Sequence, residues 1–261
     1  QQTKLTPMYD HLEAKLHDLF WASEGPSAEL ELIQDFLKEY PGTALELGCG
    51  SGRLLAPLLK DGFLMEGLDN SQDMLQLCKK NTQGFEPVLH QASIENFNTG
   101  SVYNAITIPA FTLQLVHPDK VSITLANIQQ HLHPGGGLYL TIFIPWAEIT
   151  GDLEEGTWFI DQEAPLTDNK KARCHTRFQI KRITQLLQRE HRYEIVDEKN
   201  NVLDQSRSTQ HLTWFWQREI TLLLKQAGFS TKHIIGDFAA GISCDDNSQV
   251  LTIIACKEDP E

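Results

Sequence analysis

Seven residues, Glu46-Leu47-Gly48-Cys49-Gly50-Ser51-Gly52, place an acid at the end of an apolar run and three glycines in the turn that follows. Glycine accepts positive φ and lets a backbone pass close to a ligand, and a helix starting after such a turn offers unpaired N–H groups. The next apolar run ends in Gly67-Leu68-Asp69-Asn70, the spacing of roughly 20 residues at which a second acid hydrogen-bonds a ribose diol. The pair points to a nucleoside-containing ligand. A dinucleotide site would present GxGxxG with a similar acid, whereas the spacing here is GxGxG.

Other residues suggest where a substrate would be held. Arg53 opens the helix after the glycine turn, where a guanidinium can grip a carboxylate with two parallel hydrogen bonds. Residues 170–192 hold eight Lys or Arg and a single Glu in a chain of net charge −13. Period-two geometry puts Arg173, His175, Arg177, Gln179 and Lys181 on one strand face, with Cys174, Thr176, Phe178 and Ile180 on the other. That basic face reads either as a solvated face or subunit contact, a homodimer through the insert, or as a wall that selects an anionic acceptor, with Arg177 at its centre. Trp158, Trp214 and Trp216 are candidates for lining a pocket or for core. His131 and His133 precede Pro134-Gly135 and read as cations at a helix C-terminus rather than metal ligands, so no metal is expected.

The elements that must position these groups follow from periodicity. Leu12, Leu16, Leu19 and Phe20, then Leu30, Ile33, Phe36 and Leu37, recur at helical spacing, so residues 1–40 read as a helical N-terminal cap. Thr43–Leu47 is a short strand and Leu54, Leu55, Leu58 and Leu59 mark the helix after the glycines. The alternation repeats: strand 63–68, helix 71–80, strands 87–90 and 103–108, helix 120–131, and strand 137–144, which is apolar on both faces as a covered strand requires. This is a doubly wound, mostly parallel seven-stranded α/β sheet over residues 41–147 and 214–261. Between them, residues 148–213 show three strand-like runs, 173–182, 186–196 and 202–215, split by the turn at 198–201, and read as an antiparallel β insert, a substrate lid or subunit contact. A helix at 216–226 and a closing strand pair, 229–235 with 249–255, complete the domain.

These residues, in this order, resemble the class I S-adenosylmethionine-dependent methyltransferase family, specifically its small-molecule branch with a β insert. Leu45–Arg53 looks like the motif that cradles the methionine end of the cofactor. Asp69 matches the ribose-binding acid, with Asn70 and Met74 on the adenine side, and Ala92–Phe97, including Ser93 and Ile94, is similar to the segment bordering adenine. Pro109-Ala110-Phe111-Thr112-Leu113-Gln114 resembles the segment facing the methyl group, His133–Gly137 the turn before strand five, and Leu222–Phe229 the helix-to-strand junction near the C-terminus. Tyr9-Asp10 and Phe20-Trp21 resemble a helical cap over the cofactor. The resemblance implies cofactor contacts from Tyr9, Trp21, Glu46, Gly48, Cys49, Gly50, Arg53, Asp69, Asn70, Met74, Ser93, Ile94, Pro109 and Leu113, substrate contacts from Phe111, Trp158, Arg177 and Trp214, and S-adenosylhomocysteine as product. Two positions depart from the pattern. Ser93 stands where relatives commonly carry Asp, and Leu115 where this branch often carries His, so no catalytic base carries over.

Composition bounds the rest. With 41% hydrophobic and 22% charged residues the chain is globular. Its acidity disfavours nucleic acid as substrate. No apolar stretch approaches the roughly 20 residues of a membrane span and no signal peptide opens the sequence. Five scattered cysteines suit a reducing compartment, so a cytoplasmic enzyme acting on a small molecule is expected. A positioned neutral amine needs no base to attack an activated methyl, whereas a hydroxyl does, which favours an amine or easily ionised acceptor. The rival readings are a non-catalytic nucleoside-binding or interaction protein, an NAD-dependent dehydrogenase, and a protein or RNA methyltransferase, the last opposed by the lack of an Asn-Pro-Pro-Tyr signature at Pro109–Thr112.

Overall fold

A computed structural model describes residues 28–258 together with Leu12, Leu16, Leu19 and Phe20. The chain divides into two compact units, Ser27–Trp146 with Thr213–Glu261, and Gln1–Pro26 with Ala147–Leu212. The expected cap over residues 1–40 is thus not one body. Leu12, Leu16 and Phe20 share a core with Ala164, Ala172, Cys174 and Tyr193 of the insert. Helix α1 (Ala28–Glu39) instead turns Leu32, Ile33, Phe36 and Leu37 into the sheet unit's core. Similar helical periodicities at 12–20 and 30–37 serve two different cores.

In the sheet unit β1 (Thr43–Leu47), α2 (Leu55–Lys60), β2 (Leu64–Asp69), α3 (Gln72–Asn81), β3 (Leu89–Gln91), β4 (Tyr103–Ile108), α4 (Val121–Gln130) and β5 (Leu132–Phe143) alternate. After the short α5 (Trp146–Thr150) and the insert come α6 (Gln217–Gln226), β10 (Phe229–Gly236) and β11 (Val250–Lys257). The strand order is β10-β11-β5-β4-β1-β2-β3, with β11 antiparallel to both neighbours and the rest parallel. The chain runs outward from β1 through β2 to β3, then returns to lay β4 on the other side of β1. That reversal opens a crevice at the carboxyl ends of β1 and β4, where ligands of open α/β sheets bind.

Strand β5 departs from the expectation of a turn followed by a strand at 137. It starts at Leu132 and carries Pro134-Gly135-Gly136 as an irregularity, because the six residues from Leu132 to Gly137 lie opposite only the three from Tyr103 to Ala105 of β4. Gly137 leaves room for the Tyr40 ring, 2.5 Å from where a Cβ would sit. Among the described residues no helix is long and apolar enough to cross a membrane.

The insert is a four-stranded antiparallel sheet in the order β6 (Phe159–Pro165), β7 (Lys171–Lys181), β8 (Leu186–Val196), β9 (Val202–Thr213). Sequence periodicity misses β6, an edge strand with only Ala164 fully buried. In β7 the alternation holds residue by residue: Ala172, Cys174, Thr176, Phe178 and Ile180 are buried while the odd positions face outward.

Candidate functional site

The crevice is built on backbone conformation. Gly48, Gly50 and Gly52 have φ of +74°, +52° and +84°, values that only glycine takes without strain. A Cβ on Gly48 would stand 2.5 Å from Thr112 Cγ2, so the loop after β1 rests directly on the loop after β4, whereas a Cβ on Gly50 would meet nothing within 4 Å among the described residues. Among the described residues Gly50 is therefore the open rim of the turn. Gly48 and Cys49 both donate N–H to Leu68 O, at 2.7 and 3.0 Å, joining the glycine turn to the end of β2.

Asp69 ties the same two loops together. Its Oδ2 accepts from Gly50 N at 2.9 Å and its Oδ1 from Ser71 N at 2.8 Å, and the residue is largely buried. Ser71 in turn caps α3 through Met74 N. Asn70 is exposed beside it. Met74 and Leu113 are enclosed by protein and support the crevice as packing residues, and Pro109 is buried at the end of β4. Ser93 and Ile94 are half-buried, with Ser93 Oγ accepting from Glu95 N at 3.3 Å. Cys49 hydrogen-bonds Cys78 and is buried, which together push its thiol far up, so it is not a thiolate nucleophile at neutral pH.

The loop after β4 stores strain. Ala110 and Phe111 are consecutive non-glycine residues at φ +51° and +62°, a conformation costing on the order of 1–3 kcal/mol each and held only by strong surroundings. Those surroundings centre on Glu29, which the sequence reading did not select. Its Oε1 accepts from Ala110 N at 3.2 Å and from the Thr141 hydroxyl at 3.0 Å, while Thr141 Oγ1 accepts from Phe111 N at 3.3 Å. Phe111 packs edge-on against Phe143 at 5.0 Å. Burial raises the Glu29 pKa above its ordinary value, opposed by the bonds from Ala110 and Thr141 and by Arg53, whose Nη2 lies 3.9 Å from Glu29 Oε2. The sequence carries a signal for this residue: Glu29 falls on the apolar stripe of α1 at i relative to Leu32, Ile33, Phe36 and Leu37. Glu29→Ala is expected to leave two buried donors unpaired, costing about 1–3 kcal/mol of stability, with faster hydrogen exchange at Ala110 and Phe111. Unchanged exchange there would remove Glu29 from this role.

Glu46, next to last in β1 before the glycines, is fully enclosed and, among the described residues, its Oε2 has no hydrogen-bond partner. Burial pushes its pKa well up, reinforced by Cys78, Glu29 and Asp69 and opposed by Arg53. Glu29, Glu46, Asp69 and the Arg53 guanidinium thus act on one another electrostatically at the buried base of the glycine turn. A buried carboxyl group with one oxygen unpartnered among the described residues, which an approaching cation would favour in its ionised form, fits a ligand bearing an ammonium and a sulfonium. The Gln114 amide is a structural bridge between β5 and residue 213, through Phe143 N, Phe143 O and Thr213 O.

Tyr9 and Trp21 lie outside the described residues. Trp214 is enclosed within the sheet unit, while Trp158 and Arg177 belong to the insert unit. Arg177 Nη2 pairs with Glu190 Oε2 at 2.7 Å, and its guanidinium lies 4.8 Å from the Trp158 ring centroid. Arg173 pairs with Glu163 and His175 with Glu194. The face that looks basic along one strand is largely matched by carboxylates on its neighbours.

Residues 44–136 match the family model described as a methyltransferase domain. Over 145 residues the chain is 28% identical to the dTDP-3-amino-3,4,6-trideoxy-alpha-D-glucopyranose N,N-dimethyltransferase of Streptomyces venezuelae, a match covering 53% of this chain and 59% of that relative. The fold superposes on an S-adenosylmethionine-dependent methyltransferase from Clostridium acetobutylicum with a TM-score of 0.77 at 16% identity, covering 94% of this chain and 97% of that one. It also superposes on an S-adenosylmethionine-bound amino pentose methyltransferase from Micromonospora echinaspora, with a TM-score of 0.70 at 19% identity over 93% and 96% of the two chains. At those identities the structures speak for the fold. The domain match spans β1 to β4 with the glycine turn and Asp69 at the sheet's switch point, so residues 44–136 are similar to a methyltransferase domain, and the superpositions show that the chain has the fold of these S-adenosylmethionine-dependent methyltransferases.

Proposed function

We propose that this protein transfers a methyl group from S-adenosylmethionine to the nitrogen of a small-molecule acceptor of the amino-sugar class. The observation that carries this reading is the orphaned, buried Glu46 in the crevice of a methyltransferase domain; the amino-sugar substrate named for the Streptomyces venezuelae relative supports the acceptor class. Gly48 to Arg53 would hold the methionine end, Asp69 the ribose, and Ser93 and Ile94 the border of the adenine. When bound, the cofactor supplies an already activated methyl on sulfur. The chain's own work is then to orient and to exclude water: the strained Ala110-Phe111 turn, fixed by Glu29 and Thr141, sets the wall past which an acceptor approaches. Positioning of this kind is worth roughly 7–11 kcal/mol, and a neutral amine asks for no base, consistent with Leu115 at the position where relatives often carry His.

The anionic acceptor suggested by the basic insert face is not part of this reading, because Arg177 is held by Glu190 and Trp158. A homodimer through the insert rests on β9, an edge strand exposing Val202 and Leu203, and sedimentation tests it. The transfer reading is tested by following S-adenosylhomocysteine formation with amino sugars and their hydroxyl analogues. The amines are expected to turn over at least tenfold faster. Tight cofactor binding with no turnover on any acceptor would favour the non-catalytic nucleoside-binding reading.

A further inference from the structure

The inner face of the insert sheet carries a cluster that the methyl-transfer reading does not use. Asp161 of β6, Cys174 of β7 and His191 of β8 bring a carboxylate oxygen, a thiol sulfur and an imidazole nitrogen within 4.8 Å of one another. A β-bulge makes this possible. Ile160 pairs with His175 and Gln162 with Cys174, so Asp161 is the extra residue of the bulge, and its carboxylate meets the buried Thr176 hydroxyl at 2.9 Å. Bulges re-aim side chains in this way.

His191 is 7% exposed, and its ring is oriented by Gln210 of β9, whose Oε1 lies 3.3 Å from His191 Nε2. Donation from Nε2 to that oxygen makes Nδ1 the unprotonated nitrogen, facing the cluster 2.9 Å from Thr176 Oγ1 and 3.8 Å from Cys174 Sγ. The single Thr176 proton is already given to Asp161. Nδ1, the carboxylate and the sulfur therefore converge in a largely buried place, and the proton that a metal would have to displace there is that of the Cys174 thiol. A ring nitrogen whose far side is fixed by an acceptor is the arrangement found behind metal-ligating histidines.

We propose that Asp161, Cys174 and His191 form a binding site for a divalent transition metal of the zinc class, with Thr176 or a water in the fourth position. The S, N and O donor set is the one zinc prefers, and tetrahedral bonds of about 2.0–2.3 Å set donors roughly 3.3–3.8 Å apart. The Cys174–His191 separation of 3.8 Å already meets that. Asp161, the exposed member, closes the remainder by a small shift of the bulge. Binding forms the metal–sulfur bond and releases the Cys174 thiol proton to water. Bridging three strands through residues 161, 174 and 191, the metal would act as a clip on the insert, and the spacing in sequence gives no hint of it.

The test is titration of the chelator-treated full-length protein with Co2+, read by absorption. One equivalent is expected to produce the visible bands of tetrahedral cobalt and a near-ultraviolet thiolate-to-cobalt charge-transfer band, displaced by Zn2+. Cys174→Ser should abolish the charge-transfer band and Asp161→Asn should weaken affinity at least tenfold. Gln210→Leu, acting only through the His191 ring, should weaken it roughly tenfold or more. Circular dichroism and cofactor binding show that each variant is folded. No cobalt spectrum in the wild-type protein, or a spectrum unchanged in folded Cys174→Ser and Asp161→Asn, would overturn the site.

Discussion

Asp69→Ala is expected to weaken S-adenosylmethionine binding by about 1.5–3 kcal/mol, roughly 10- to 150-fold, because a charge-assisted hydrogen bond to the ribose is lost. The geometry adds a second consequence. The same carboxylate accepts from Gly50 N and Ser71 N, so its removal also releases the glycine turn from the end of β2, and thermal stability should fall together with affinity. Asp73→Ala, at an exposed position in the first turn of α3, is the control and should change neither. Calorimetry on the two variants reads both effects, and unchanged affinity in folded Asp69→Ala would remove the acid from the site.

Glu46→Gln should move stability and binding in opposite directions. A carboxyl whose folded pKa is raised favours the folded state most below its unfolded value near 4.5 and loses that advantage as pH rises toward the folded value. The neutral amide removes the loss, so the variant should match or exceed the wild type in thermal stability at pH 7 and above, with a flatter dependence on pH. Binding should suffer, since the amide cannot answer an ammonium with a full charge. Affinity is expected to drop at least tenfold. In the wild type, binding should release a proton, and affinity should rise by up to about tenfold per pH unit through the folded pKa. A Glu46→Gln protein that binds the cofactor normally with an unaltered pH profile would show that the acid is structural.

How much of this could be read from the residues in order depends on the range of the interaction. The glycine turn, Asp69 and the period-two face of β7 are local, and the structure places them as their spacing implies: Arg173, His175 and Arg177 do face away from Cys174, Thr176 and Phe178. What local pattern cannot give is register. Arg177 lies opposite Glu190 only because β7 and β8 pair in one particular alignment, so a run that looks basic along the chain is matched across it. The same limit hid β6, whose outward residues mark no amphipathic face, and the bulge that turns Asp161 inward. Periodicity also finds an apolar helix face without saying which core receives it, which is how one expected cap became two pieces in two units. Glu29 was visible as an acid on an apolar stripe, but its purpose needed the Ala110-Phe111 backbone.

Calorimetric titration of the full chain with S-adenosylmethionine, set beside NAD, tests the central claim most directly. The acidic glycine crevice predicts one molecule of S-adenosylmethionine bound per chain, competition by S-adenosylhomocysteine, and no heat from NAD. Absence of S-adenosylmethionine binding, or saturable binding of NAD in its place, would contradict the assignment of Glu46, the glycine turn and Asp69 as a methyl-donor site.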